Sequence, residues 1–331
     1  MINQQSPFIQ KPQSVTSIML MVLVALIPAI IVNTYYYGIG VILNILLASI
    51  TALLAEFIIL KIRKMNVYSS LTDGSALVAA WLLALSVPSI SPWWIIFVGT
   101  LFTIVIAKHF YGGLGSNLFN PAMIGYAVLL ISFPSIMTKW PAATGISTQQ
   151  SLNLFLSGIT LVTDGITSAT PLDYIKTELM QGRTLEAIKN SASISLSSAH
   201  VYYVALAYFL GGILLLYKKI ITWHLPVTFL ASLIIISSLF VLTNSNIFSG
   251  PVFHVVNGGV MLCAFFIITD PVSGPTTPKG KMVFAFLAAL IILLIRNFGG
   301  YPEGVAFAVI FLNICAPLID TLTQPKVFGH E

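Results

Sequence analysis

Long apolar runs alternate with short polar connections along most of the chain. A helix that crosses a membrane needs about 20 apolar residues to span ~30 Å of hydrocarbon. Ten runs approach that length, and one long polar stretch separates the first five from the last five. The runs are 17–36, 39–60, 73–90, 93–110, 121–138, 199–217, 224–243, 252–269, 282–298 and 304–322. This pattern predicts an all-α polytopic membrane protein of about ten transmembrane helices.

The composition supports this fold class and excludes an ordinary water-soluble enzyme. The 331 residues are 57% hydrophobic and only 8% charged, whereas a soluble domain carries about 25% charged residues. Two cysteines cannot form a disulfide framework or a four-thiolate cluster within this chain. In so apolar a chain, we attribute the net charge of +5 to basic residues that orient the protein in the membrane. We therefore expect no binding of nucleic acid.

The distribution of basic residues predicts the orientation of the chain in the membrane. If the N-terminus is cytoplasmic, ten Lys and Arg residues lie on the cytoplasmic side and five lie outside, as the positive-inside rule requires. We therefore expect a multi-pass protein of the bacterial cytoplasmic (inner) membrane, with both termini in the cytoplasm. The polar loop 139–198 is then periplasmic, and Tyr35-Tyr36-Tyr37 is typical of an interfacial aromatic belt.

Short motifs recur in the two halves that flank the polar loop. Asp73-Gly74 resembles Asn257-Gly258, and Phe110-Tyr111-Gly112-Gly113 resembles Phe298-Gly299-Gly300-Tyr301. Five runs in each half would make the halves cross the membrane in opposite directions. Glycine and proline at matching positions favour inverted repeats with broken helices near the midplane, although both residues are common in any membrane helix. The predicted divisions are 1–138, the loop 139–198, and 199–331.

The polar loop contains a run of small residues that would leave a threonine hydroxyl accessible. The run is Asp164-Gly165-Ile166-Thr167-Ser168-Ala169-Thr170, and Pro171-Leu172-Asp173 follows it. Asp-Gly favours a turn, and Thr-Pro favours the boundary of an element. The residue types alone indicate no more than a polar turn.

This run resembles the Asp-Gly-x-Thr/Ser-x-Ala-Thr flavinylation motif of the RnfD/NqrB family of membrane subunits. Three further stretches resemble the same family, so the resemblance covers essentially the whole chain. They are 112–123, which contains Phe119-Asn120-Pro121-Ala122-Met123, the turn 269–273, and 297–308. NqrB-type members usually carry a longer N-terminal extension, so the RnfD-type members are the nearer match.

The resemblance implies a ten-helix subunit of an ion-translocating electron-transport complex that couples ferredoxin and NAD to movement of Na⁺ or H⁺. It implies FMN joined covalently through its phosphate to Thr170, with five neighbouring residues as the recognition motif: Asp164, Gly165, Thr167, Ser168 and Ala169. Ser168 stands where many members have glycine. It also implies partners, namely the other Rnf-type subunits, a flavin transferase and membrane lipids. A second, non-covalent flavin such as riboflavin is left open.

The sequence shows no nucleotide-binding motif and no iron–sulfur spacing, so we expect no catalysis by the chain alone. It would act as one subunit of an oxidoreductase complex. The alternative is a solute channel or secondary transporter with inverted repeats and no redox role, since such proteins also use broken helices. The motif at 164–170 is the feature that favours the redox subunit.

A few ionisable residues lie at or near the apolar runs. Asp73 and Asp270 adjoin the broken segments, so each could cap a half-helix or line an ion path. We interpret Glu56 and Asp320 as interfacial carboxylates that reach water. The histidines show no metal-ligand spacing, and we expect no metal.

Overall fold

The computed structural model describes residues 14–143, 146–157, 167–191 and 199–325. The part before the polar loop is helical. Its helices are α1 (Val15–Tyr37), α2 (Gly40–Ile62), α3 (Val67–Leu71), α4 (Ser75–Ser86), α5 (Trp93–Leu101, continuing as a π-helix over Phe102–His109), α6 (Pro121–Ser132) and α7 (Pro134–Met137). Two-residue strands β1 (Trp140–Pro141) and β2 (Thr167–Ser168) pair in the loop, so the described fold is mostly rather than purely helical.

The remaining elements belong to the loop and to the part that follows it. The loop contains α8 (Thr148–Ser157), α9 (Pro171–Met180) and α10 (Leu185–Ser191). After it come α11 (Ala199–Tyr217), α12 (His224–Thr243), α13 (Pro251–Val256), α14 (Val260–Leu262, continuing as a π-helix over Cys263–Ile267), α15 (Pro278–Phe298) and α16 (Val305–Thr323).

Seven helices among the described residues are long and apolar enough to cross a membrane, which confirms a polytopic membrane protein. They are α1, α2, the α3–α4 segment, α11, α12, α15 and α16. Two shorter apolar helices, Trp93–His109 and Pro121–Ser132, correspond to two further predicted spans. The predicted spans 199–217 and 224–243 coincide with α11 and α12.

Glycine and proline residues explain where other predicted spans differ from the observed helices. The predicted helix over 252–269 is divided at Gly258. This residue has φ +72°, a backbone conformation that residues other than glycine rarely adopt. Gly74, with φ +80°, divides α3 from α4 in the same way. The predicted span 121–138 ends at Ser132, because Pro134 restricts the residue before it and cannot donate a backbone hydrogen bond.

Among the described residues, helices of the two halves pack closely at two places. The helix α1 packs closely against α11, where a Cβ on Gly211 would lie 2.1 Å from the carbonyl oxygen of Ala25. Small residues allow such close approach between membrane helices. The helix α6 packs against α16, and the backbone N–H of Asn120 donates to Asn313 Oδ1 at 3.0 Å. Asn120 Nδ2 also donates to the carbonyl of Ile267, so Asn120 fixes one end of this contact.

Candidate functional site

The described end of the flavinylation-like motif borders a cavity of about 230 Å³. Ser168, Ala169 and Thr170 all line this cavity. Thr167 belongs to β2, in which it pairs with Pro141 while Ser168 pairs with Trp140. Asp164 and Gly165 lie outside the described residues. The structure therefore brings the last three motif residues together at one cavity.

Thr170 begins the helix α9. It is the N-cap of α9, and its Oγ1 accepts a hydrogen bond from the N–H of Asp173 at 3.2 Å. Pro171 occupies the first helical position, where its missing N–H costs nothing. A helix N-terminus presents free N–H groups and favours negative charge. The half-buried Thr170 hydroxyl thus lies where a phosphate group would be stabilised.

The helix α9 is held against the membrane helices by Lys176. Its Nζ donates to the carbonyl oxygens of Tyr301 at 2.7 Å, Ile295 at 3.2 Å and Arg296 at 3.3 Å. The last two carbonyls belong to the last turns of α15, and that of Ile295 also accepts the N–H of Gly299 at 2.9 Å. Burial lowers the pKa of Lys176, against the opposing effect of the Asp173 carboxylate. Burial likewise raises the pKa of Asp173.

Helix ends from both halves form the remaining walls of the cavity. Tyr37 comes from the end of α1, Ser86 from the end of α4, and His200 from the start of α11. The walls also include these polar and aromatic side chains: Asn33, Tyr126, Trp140, Tyr208, Asn257 and Glu303. The sequence interpretation placed Tyr37 in an interfacial belt, and it did not single out the other wall residues as a site. Only the recurring glycine motifs pointed to this region.

A buried ion pair supports the broken helix beside the cavity. Arg296 Nη2 lies 2.7 Å from Glu303 Oε2, and the Arg296 side chain is 1% exposed. Arg296 also donates to the carbonyl oxygens of His254 at 2.8 Å and Asn257 at 3.0 Å. Glu303 accepts the N–H of Gly259 at 2.9 Å. The pair thus satisfies the backbone groups that the break leaves free, as is required away from water.

Asn257 places an unpaired acceptor at the cavity. Its side chain is 2% exposed, and Nδ2 donates to the carbonyl of Phe253 at 2.9 Å. That bond fixes which side-chain atom is the nitrogen. Oδ1 has no partner among the described residues. A buried acceptor without a donor is unfavourable, and Asn257 is one of the residues that line the cavity.

A second charged cluster surrounds Glu56, which corrects the interpretation of that residue as an interfacial carboxylate. Glu56 is 1% exposed and bonds to Lys108 Nζ and, at 3.0 Å, to His109 Nε2. Lys108 also donates to Ser75 Oγ at 2.7 Å. Ser75 begins α4, whereas the other end of α4 lines the cavity. The cluster therefore lies at the opposite end of the bundle.

Asp73 and Asp270 both bond within their own turns. Asp73 Oδ1 accepts the N–H of Ser75 at 2.7 Å, and Asp270 Oδ1 accepts the N–H of Val272 at 3.1 Å. Asp270 Oδ2 also accepts the hydroxyl of Ser273 at 2.8 Å. These are bonds within turns; Gly74 rather than Asp73 is the N-cap of α4, α15 begins only at Pro278, and neither aspartate lines the cavity. An ion-path role for either residue stays a prediction. Within the described ranges, no group of three or more potential metal ligands lies together.

Comparison with known proteins agrees with the resemblance seen in the motifs. The family model described as "NQR2, RnfD, RnfE family" matches residues 2–329. Three similar curated proteins are each named as a subunit of an ion-translocating oxidoreductase complex. They come from Salmonella paratyphi A, Salmonella typhi and Escherichia coli O127:H6, with 47%, 46% and 45% identity over 98% of this chain and 97% of each relative. The chain belongs to the NQR2, RnfD, RnfE family.

Proposed function

We propose that this chain is the flavin-carrying membrane subunit of a bacterial ion-translocating oxidoreductase complex, with FMN joined to Thr170 through a phosphoester. The names of its relatives supply the kind of complex. The observation that carries the cofactor assignment is the position of Thr170. It ends the motif, caps α9 and lines a cavity built from both halves.

The residues around Thr170 fit such a phosphoester. Its Oγ1 would be the ester oxygen, and the remaining negative charge would lie beside the N–H groups of the first turn of α9. Bound FMN would supply one- and two-electron chemistry. The chain itself holds the attachment point against the bundle through Lys176, and it encloses the cavity with apolar and aromatic side chains.

We further propose that the two halves are inverted five-span repeats, ten spans in all. Lys108 and Arg296 both stand two residues before the phenylalanine of the recurring Phe/Gly motif. Each bonds to an acidic side chain and contacts a helix break that contains a glycine of positive φ, Gly74 or Gly258. In addition, α2 packs against α3, α4 and α5, as α12 packs against α13, the π-helix Cys263–Ile267 and α15.

The proposed membrane orientation follows from the charge distribution. Both termini would be cytoplasmic and the loop periplasmic, so Thr170 would face the compartment in which a flavin transferase could reach it. Tyr37, His200 and Glu303 line the cavity together with the loop residues Ser168 and Thr170, so the cavity would lie on the same side as the loop. Electrons would enter and leave through other subunits, and the chain would contribute to coupled movement of Na⁺ or H⁺.

In-gel fluorescence of the denatured full chain tests the cofactor assignment. An ester-linked flavin stays on the band, whereas a non-covalent flavin leaves with the detergent. We expect Thr170→Ala to abolish the band's fluorescence and the FMN mass on the 167–180 peptide. Thr184→Ala is the matched control, because Thr184 is a loop threonine whose Oγ1 caps α10 in the same manner. A wild-type band without flavin would favour the channel or transporter alternative.

A further inference from the structure

Three aromatic side chains form one wall of the cavity next to the motif. We call Tyr37, Trp140 and His200 the aromatic wall; all three line the cavity. The ring centroid of Tyr37 lies 5.8 Å from that of Trp140 and 5.9 Å from that of His200, both in edge-to-face geometry. Such geometry is the favourable arrangement for aromatic pairs. The wall is therefore a packed unit rather than three separate side chains.

Strand pairing fixes this wall beside the attachment point. Trp140 lies directly opposite Ser168 in the antiparallel pair, and Thr170 follows two residues later. Residues directly opposite each other in such a pair have Cβ atoms about 4.5–5.5 Å apart. Lys176 holds the next helix, α9, against the ends of the membrane helices. A group attached to Thr170 is consequently held close to the aromatic wall.

We propose that the aromatic wall is the packing surface for the isoalloxazine ring of a flavin joined to Thr170. This proposal rests on the proposed function. A flat, conjugated ring buries its faces well against Trp and Tyr side chains.

Flavin fluorescence of the purified full chain tests this proposal when the chain is co-produced with a flavin transferase. Trp and Tyr in contact with an excited flavin quench it by donating an electron. Phe keeps a packed ring but is much harder to oxidise. We expect strong quenching in the wild type, a several-fold rise in fluorescence yield in Trp140→Phe and Tyr37→Phe, and the largest rise in the double variant. Denaturation should bring all the chains to the same yield.

Trp223→Phe is the matched control, because Trp223 is exposed and packs on His224 between α11 and α12, away from the cavity. We expect its flavin to stay quenched. Mass spectrometry of the Thr170 peptide records loading separately in every variant. A loaded chain whose fluorescence is unchanged in the double variant overturns this proposal alone. A wild-type chain without flavin on Thr170 overturns the proposed function, and this proposal with it.

Discussion

The Oγ1 atom of Thr170 has one observed role and one proposed role. Its Oγ1 caps α9 by accepting the N–H of Asp173, and it is also the proposed ester oxygen. Esterification weakens the threonine oxygen as an acceptor but adds phosphate oxygens at the same helix end, where they are favoured. Loss of such a cap alone costs about 1 kcal/mol. We therefore expect attachment of FMN to preserve α9 rather than to disrupt it.

Arg296 shows how one residue can stabilise a broken helix. Its guanidinium bonds to Glu303 and to the carbonyl oxygens of His254 and Asn257. The sequence did not single out this residue, because the residues that supply its two carbonyl partners lie 39 and 42 residues away in the chain. The interpretation of Glu56 as an interfacial carboxylate was wrong for the same physical reason. Its partners Lys108 and His109 reach it only through packing of α5 against α2.

We predict that Arg296→Met destabilises the chain by about 3–5 kcal/mol, because it leaves the Glu303 charge without its partner in a largely buried site. Thermal unfolding in detergent, compared with the wild type, measures the change. Arg183→Met is the control, since Arg183 pairs with Glu178 at the surface and is 53% exposed. Such exposed pairs contribute about 0–1 kcal/mol. Equal unfolding temperatures for the two variants would contradict the prediction.

At the scale of elements, breaks rather than whole helices build the site. The apolar pattern predicted α11 and α12 to the residue, because nothing interrupts either run. The glycine in Asn257-Gly258 indicated a break in the 252–269 run, but the sequence could not show that β1 carries Trp140 back to the motif. Two-residue strands leave no periodic pattern in the sequence. The motif itself was visible, whereas the walls around it depend on contacts between distant elements.

The helix α9 depends on Lys176 for its position. We predict that Lys176→Met increases amide hydrogen exchange and proteolysis across 167–180, because the three hydrogen bonds from Lys176 to carbonyl oxygens near α15 are lost. Lys139→Met, at an exposed loop position, is the control and should change neither measurement. Unchanged exchange in the Lys176 variant would contradict the proposed role of this side chain in docking α9.

Docking of α9 should also depend on pH with a defined sign. Burial lowers the pKa of Lys176 below its usual 10.5. Between the lowered pKa and 10.5, the docked state binds fewer protons than the undocked state, so the contribution of Lys176 to docking increases as pH rises. Exchange at 167–180 should therefore slow with increasing pH in that window, after correction for the intrinsic rate. The Lys176→Met chain should lack this dependence.

At the scale of the whole molecule, the two charged clusters lie at opposite ends of the bundle. The cavity and the Arg296–Glu303 pair adjoin the loop, whereas Glu56, Lys108 and His109 lie at the far end of α4 and α5. Buried charges at membrane depth are costly and tend to be functional. The described bundle therefore carries a buried charged cluster near each of its two ends.

Asp73 and Asp270 offer the test of coupling across the molecule. Each aspartate accepts the backbone N–H two residues further along its turn, and the Oδ1 of an asparagine can accept the same bond. Asp73→Asn and Asp270→Asn should therefore assemble normally and keep FMN on Thr170. If a cation binds either carboxylate, the neutral variant loses ion uptake into vesicles while electron transfer continues. The measurement is paired redox turnover and ion uptake for each variant of the assembled complex. Wild-type uptake in both would show that these aspartates only stabilise their turns, and that the ion path lies elsewhere.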